Sequence, residues 1–138
     1  MSQNSNKFET GELAASKWRH IFKIFMYVIL AKKRIYHEEM TMFIFMTKRV
    51  KSILSPDLVL TDHMLKDWFV LNREEVLQTV QLGHEEREIH EHMNHLDEVE
   101  DKLTIIRAMQ SIAKCDGELR SDERRLITYV ARQWRLAA

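Results

Sequence analysis

The sequence is short of the residues that interrupt regular structure. It has 3 glycines and 1 proline in 138 residues, well below the roughly 7% and 5% of soluble proteins. Few breakers allow long elements, and no segment shows the apolar–polar alternation typical of strands. The sequence therefore predicts an all-α fold, and its length corresponds to one domain.

Cysteine and long apolar runs are also scarce. The single cysteine, Cys115, excludes an internal disulfide and fits a reducing compartment. Residues 1–6 are polar and uncharged, without the pattern of a signal peptide. The most apolar stretch, residues 21–31, contains Lys23 and is shorter than the about 20 residues that cross a bilayer. We predict a cytoplasmic protein.

Net charge is zero, but the charges are unevenly spread. Residues 1–56 carry ten Lys and Arg against four Asp and Glu, whereas residues 57–138 carry eleven against seventeen. A balanced total argues against nucleic-acid binding. The asymmetry either orients a partner or pairs one half of the fold with the other, and we favour the second interpretation.

Apolar residues recur at helical spacing throughout. After a disordered tail over residues 1–8, a single domain over 9–138 is expected to hold about six helices. The first helix, 12–31, has so wide an apolar face that other helices should enclose it. The second helix is predicted over 37–53, and the third begins at Asp57 or at Thr61-Asp62. The fourth covers 72–82, where Asn72 opens a capping box. The fifth covers 84–114, and the sixth begins at Ser121. Gly83 is predicted to be a left-handed helix-terminating residue.

Two segments look like degenerate copies of one helical hairpin. At an offset of 84, Ile35 matches Leu119, and the acidic pair Glu38-Glu39 matches Asp122-Glu123. The copies span residues 18–53 and 103–136. The sequence thus predicts a compact helical bundle with an internal repeat.

The second copy carries a resemblance to a known family. Its run Asp116-Gly117-Glu118-Leu119-Arg120-Ser121-Asp122-Glu123, after an apolar stretch ending Ile112-Ala113-Lys114, resembles the TerB-like domain. This family is named for a tellurite-resistance protein and also occurs in DjlA co-chaperones. The first copy departs from the motif, with Lys32-Lys33 where Asp-Gly would stand. The resemblance implies an all-helical interaction or scaffold module, connected with stress response, that binds a protein partner and is not an enzyme.

The same resemblance implies weak divalent-cation binding by the acidic turn. The candidate metal ligands there are Asp116, Glu118, Asp122 and Glu123. An EF-hand is excluded, because Ile112 and Lys114 would occupy its first and third ligand positions. The favoured alternative is a structural turn in which Gly117 takes a positive φ and Ser121 caps the last helix.

A second metal candidate is Glu88, His92 and His95, which share a helix face at spacings of four and three. The favoured alternative is a solvated polar face. No catalytic residue is predicted: Cys115 lies at a helix C-terminus, which disfavours the thiolate, and no phosphate-cradling loop or nucleophile elbow is present.

A third function is peripheral membrane association. Trp18, Arg19, Lys23 and Lys32-Lys33-Arg34 could form a basic, aromatic-tipped surface for acidic lipids. We favour the alternative in which residues 21–31 are core. The leading expectation remains a non-enzymatic interaction module with a protein partner, without cofactor apart from a weakly bound divalent cation.

Overall fold

The computed structural model describes residues 17–31, 37–96, 102–114 and 121–136, and this part is all-helical. Its six helices are α1 (17–30), α2 (His37–Leu54), α3 (Asp62–Gln81), α4 (Glu85–Asn94), α5 (Lys102–Ala113) and α6 (Ser121–Gln133). The described residues contain no strand, which confirms the predicted all-α class. Within the same ranges, none of the helices has the length and apolar character needed to cross a membrane.

Five helices form a closed ring. Helix α2 packs against α3, α3 against α4, α4 against α6, α6 against α5, and α5 against α2. Helix α1 lies inside this ring, because every residue from Ile24 to Leu30 is at most 1% exposed. A helix surrounded on all sides needs apolar residues around its whole circumference. This confirms the prediction that the first helix is enclosed.

Aromatic side chains join the N-terminal half of α1 to its neighbours. The Phe22 ring meets Phe43 of α2 and Trp68 of α3 edge-to-face, with centroid distances of 4.9 and 5.6 Å. Phe43 in turn meets Phe69 of α3 at 5.7 Å. Such edge-to-face pairs stabilise packing by about 0.5–1.5 kcal/mol beyond area burial. They fix the junction of α1, α2 and α3.

The proposed hairpin copies have equivalent buried positions. Ile21 and Phe25 in α1 match Ile105 and Met109 in α5, and all four are fully buried. Helix α2 packs against α5, so the two copies meet face to face. The turn residues Ile35 and Leu119, like the tail over 1–8, lie outside the described residues.

Helix α3 begins at one of its two predicted starts but extends beyond its predicted end. Of the two possible starts, the structure has the later one, where Thr61 is the N-cap and its Oγ1 accepts a hydrogen bond from the Met64 amide at 3.2 Å. The predicted helix start at Asn72 is wrong, because α3 is continuous through it. The Asn72 side chain instead donates to the carbonyl of Trp68, at 2.7 Å. A continuous apolar face through Phe69 and Val76 outweighs the capping pattern.

The single helix predicted over 84–114 is also wrong. Helix α4 ends at Asn94, where the amides of His95 and Leu96 turn back to carbonyls three residues earlier, at 3.1 and 2.9 Å. Leu96 is thereby buried. The apolar spacing continues across this break, so the sequence has no signal for it. By contrast, Gly83 is confirmed as the left-handed residue after α3, with φ +75°.

Ion pairs connect the basic and acidic halves of the chain. Lys23 of α1 contacts Glu75 of α3 at 2.9 Å, and Lys48 of α2 contacts Asp62 of α3 at 2.8 Å. Both pairs join a cation from residues 1–56 to a carboxylate from residues 57–138. The charge asymmetry thus contributes to pairing within the fold, as the favoured interpretation predicted.

Candidate functional site

The acidic turn is only partly covered by the described residues. Asp116 and Glu118 lie outside them. Asp122 and Glu123 lie in the first turn of α6, where Asp122 is exposed and Glu123 is fully buried. The described residues contain no group of three side chains arranged to hold a metal ion. Divalent-cation binding at the turn stays a prediction, which calorimetric titration with calcium, magnesium and zinc would test.

Of the second predicted set, His92 and His95 both contact the ring of one residue in α1. Glu88 lies one turn before His92 on α4 and contacts Arg87 at 3.9 Å. Metal binding by this set stays a prediction. The partner that the sequence analysis missed is His20 of α1. Its ring stacks on His95 with a centroid distance of 4.1 Å and an interplanar angle of 2°.

His20 and His92 are joined by a short contact. The Nδ1 atoms of the two rings are 2.9 Å apart, a hydrogen-bond distance. One ring must donate its Nδ1 proton and the other must accept, so the two imidazoles hold different tautomers. A proton on the accepting nitrogen would leave two N–H groups facing each other. The contact therefore requires that at least one ring be neutral.

Electrostatics keeps this pair uncharged. Burial, reinforced by His20 and Lys23, lowers the pKa of His92 to about 4. Burial also lowers the pKa of His20, with smaller effects from His95 and Lys23. Both rings are therefore neutral at pH 7. Lys23 disfavours a proton on both rings, and Glu75 opposes this effect at His92.

The imidazoles border a cavity of about 490 Å³ between α1, α3 and α4. Its apolar wall is formed by Phe22, Trp68 and Leu71, and Leu71 is 78% exposed at the rim. Its polar lining comprises Arg19, His20, Lys23, Asn72 and His92. We call this cavity the histidine pocket. Its volume lies within the roughly 300–1,000 Å³ typical of small-molecule sites.

The pocket lies where the central helix reaches the surface. Between residues 18 and 31, only Arg19, His20 and Lys23 of α1 escape full burial. His20, Lys23 and Tyr27 recur at spacings of three and four, so they share one side of the helix. This polar stripe on an apolar helix is the signal by which the sequence could have revealed His20. The spacing of His92 from His95 singled it out in the sequence, but nothing in the sequence shows that α4 packs against this stripe.

Tyr27 continues the stripe below the pocket. Its ring is 6.3 Å from that of His92. Burial raises the pKa of Tyr27 to about 12, opposed by a hydrogen bond with Thr79 and assisted by nearby glutamates. The phenol is therefore protonated at neutral pH. It acts as a buried polar contact and not as a charged group.

The predicted membrane surface is missing its aromatic component. Trp18 is fully buried, and its indole N–H donates to the Oγ of Ser55 at 3.0 Å. Arg19 and Lys23 line the histidine pocket instead, and residues 32–34 lie outside the described part. An aromatic that faces the core cannot insert into a bilayer. The membrane interpretation, which was not the favoured one, is therefore wrong at Trp18. The favoured interpretation is confirmed, because residues 21–31 are buried apart from Lys23.

A second exposed feature lies on α2. Phe45, Arg49 and Ile53 follow each other at intervals of four and form one stripe, which we call the α2 ridge. The side of α2 that carries it faces solvent: Phe45 is 57% exposed and Ile53 54%. The ridge is about 12 Å long from the helix rise. Two exposed apolar residues on one stripe mark a docking surface better than scattered ones.

Grooves border the α2 ridge on both sides. The groove toward α3 has a volume of about 720 Å³ and includes Lys48 and Lys66. The groove toward α5 has a volume of about 280 Å³ and includes Arg107. Asp62 is the one carboxylate among the lining residues of these grooves. Lys48 forms an ion pair with Asp62 and lowers its pKa.

The chain was compared with protein-family models, with curated proteins and with solved structures, and none of them matches it. The resemblance to the TerB-like family therefore stays a prediction.

Proposed function

We propose that this protein is a non-enzymatic interaction module of TerB-like type, and that the α2 ridge binds an acidic amphipathic helix of a partner protein. The observation that carries the proposal is the combination of exposed Phe45 and Ile53 with a border of cations. The TerB-like resemblance supports an interaction role and extends the proposal to a stress response.

Shape favours a helix as the occupant. The α2 ridge and its two grooves run along the axis of one helix, and an amphipathic helix recognises such a surface through apolar residues spaced three and four apart. Phe45 and Ile53 lie about 12 Å apart, or two turns. Two apolar residues eight positions apart on a partner helix could contact both.

Charge favours an acidic occupant. Among the described residues, no ion pair joins Arg49, Lys66 or Arg107 to a carboxylate. A partner with Glu or Asp beside its apolar face would satisfy these cations. Such complementarity increases association rates and excludes basic partners.

The proposal can be tested with a synthetic amphipathic helix that has leucines on one face and glutamates on the other. We expect this peptide to bind the full chain more weakly as the salt concentration rises. We also expect the substitution Arg49→Glu to weaken peptide binding at least about tenfold. Phe45→Ala should also weaken it. The matched control is Arg73→Glu, an exposed charge reversal on α3 away from the ridge.

Several outcomes would contradict the proposal. A lysine version of the peptide that binds equally well would remove the electrostatic argument. If Arg49→Glu and Arg73→Glu weakened peptide binding equally, the binding site would not lie on the α2 ridge. The membrane alternative would be favoured if the protein bound vesicles of anionic lipid but not the peptide, and if Arg49→Glu abolished the vesicle binding.

A further inference from the structure

The histidine pocket is independent of the α2 ridge and has a different chemistry. It is a cavity lined by both apolar and polar side chains, and not a convex ridge. Its lining contains two permanent cations, Arg19 and Lys23, and no carboxylate. Lys23 is neutralised by Glu75, which is 2.9 Å away and does not line the cavity. The exposed guanidinium of Arg19 has no ion-pair partner among the described residues.

The apolar wall suits a flat group. Trp68 lines the cavity beside Leu71, whose side chain is 78% exposed at the rim. An exposed leucine next to an indole loses solvent contact when a planar apolar body covers both. Arg19 also lines the cavity, and its guanidinium is a donor suited to carboxylate or phosphate oxygens.

We propose that the histidine pocket binds a small organic anion, a carboxylate or phosphate attached to a flat apolar group. Arg19 holds the anionic end. Trp68 and Leu71 cover the apolar body. The cavity of about 490 Å³ has room for such a molecule.

A divalent metal fits this pocket less well than an anion. The facing Nδ1 atoms of His20 and His92 are 2.9 Å apart, whereas two nitrogens on one tetrahedral zinc lie about 3.3 Å apart. In the described ranges no three ligating groups are arranged around a common point. A metal cation would also meet the charge of Arg19, which attracts an anion.

The test uses phenyl phosphate as the probe and follows binding by calorimetry and by amide chemical shifts of the full chain. We expect binding that Arg19→Gln weakens about tenfold, as loss of a charge-assisted contact would. Leu71→Ala should weaken it about threefold. The matched controls are Arg132→Gln and Val70→Ala, since Val70 is 69% exposed but does not line the pocket.

Charge and chemistry are separated by three further probes. Inorganic phosphate should bind more weakly than phenyl phosphate, because it lacks the apolar body. Benzylamine should not bind, because its charge is positive. Three results would each overturn the proposal. Benzylamine could bind as tightly as phenyl phosphate, Arg19→Gln and Arg132→Gln could have equal effects, or phenyl phosphate could fail to bind at millimolar concentration. Zinc binding that His92→Gln abolishes, in place of phenyl phosphate binding, would show a metal site instead.

Discussion

Acidification is expected to destabilise the fold through His92. The folded protein keeps this imidazole neutral down to a pKa of about 4, whereas an unfolded chain protonates it near 6.5. Between these values the unfolded state binds more protons, so the free energy of unfolding falls as pH decreases. Above pH 6.5 the neutral ring carries no such penalty.

The magnitude follows from the size of the pKa difference. A shift from 6.5 to about 4 corresponds to roughly 3 kcal/mol at 1.36 kcal/mol per pH unit. Because His92 is not fully buried, solvent screening reduces this. We expect roughly 1–2 kcal/mol of stability to be lost through this ring between pH 6.5 and 4.

Urea unfolding followed by circular dichroism, at pH values from 7.5 to 4, measures this loss. His92→Gln removes the titrating group, so its stability should fall less steeply over the same range. The matched control is His63→Gln, because the His63 side chain is 85% exposed. If His92→Gln and the wild type lose stability in parallel, the argument from the buried imidazole is refuted.

Three substitutions test other parts of the fold. Trp18→Phe should cost about 1.5–3 kcal/mol in urea unfolding, because it leaves a cavity at a fully buried position and removes the hydrogen bond to Ser55; a loss below about 0.5 kcal/mol would contradict this. Arg125→Gln should destabilise by about 1–2 kcal/mol, since it leaves the buried carboxylate of Glu85 without its cation, and adding Glu85→Gln should recover part of that loss. Gly83→Ala should lower the free energy of unfolding by about 1 kcal/mol, because the φ of Gly83 is +75°. Backbone strain alone would cause this loss, since nothing lies within 4 Å of an added Cβ. Gly83→Asn should lower the free energy of unfolding by less.

Local signals in the sequence located most helix ends. Gly83 is the clearest case, because a residue without Cβ takes the positive φ that terminates α3, and two amide hydrogen bonds then satisfy the last carbonyls. The enclosure of α1 was also predictable. Its residues are apolar on all sides, and only a surrounded helix can bury such a surface.

Other features depend on contacts between distant segments. Whether Asn72 caps a helix or lies within one depends on the apolar face that α3 packs into the bundle. Whether the third helix begins at Asp57 or at Thr61-Asp62 was also open in the sequence, and in the structure Thr61 is the N-cap. Each pattern allowed two outcomes, and tertiary packing selected one.

The helical class and the enclosed first helix could be predicted from the sequence, because both follow from composition and local periodicity. The candidate sites, in contrast, form only when distant segments pack together. His20 and His92 are 72 positions apart, and Phe45, Arg49 and Ile53 form an exposed ridge because the ring buries the other side of α2. Neither arrangement is a property of one helix, since each depends on how the ring of five helices closes around α1.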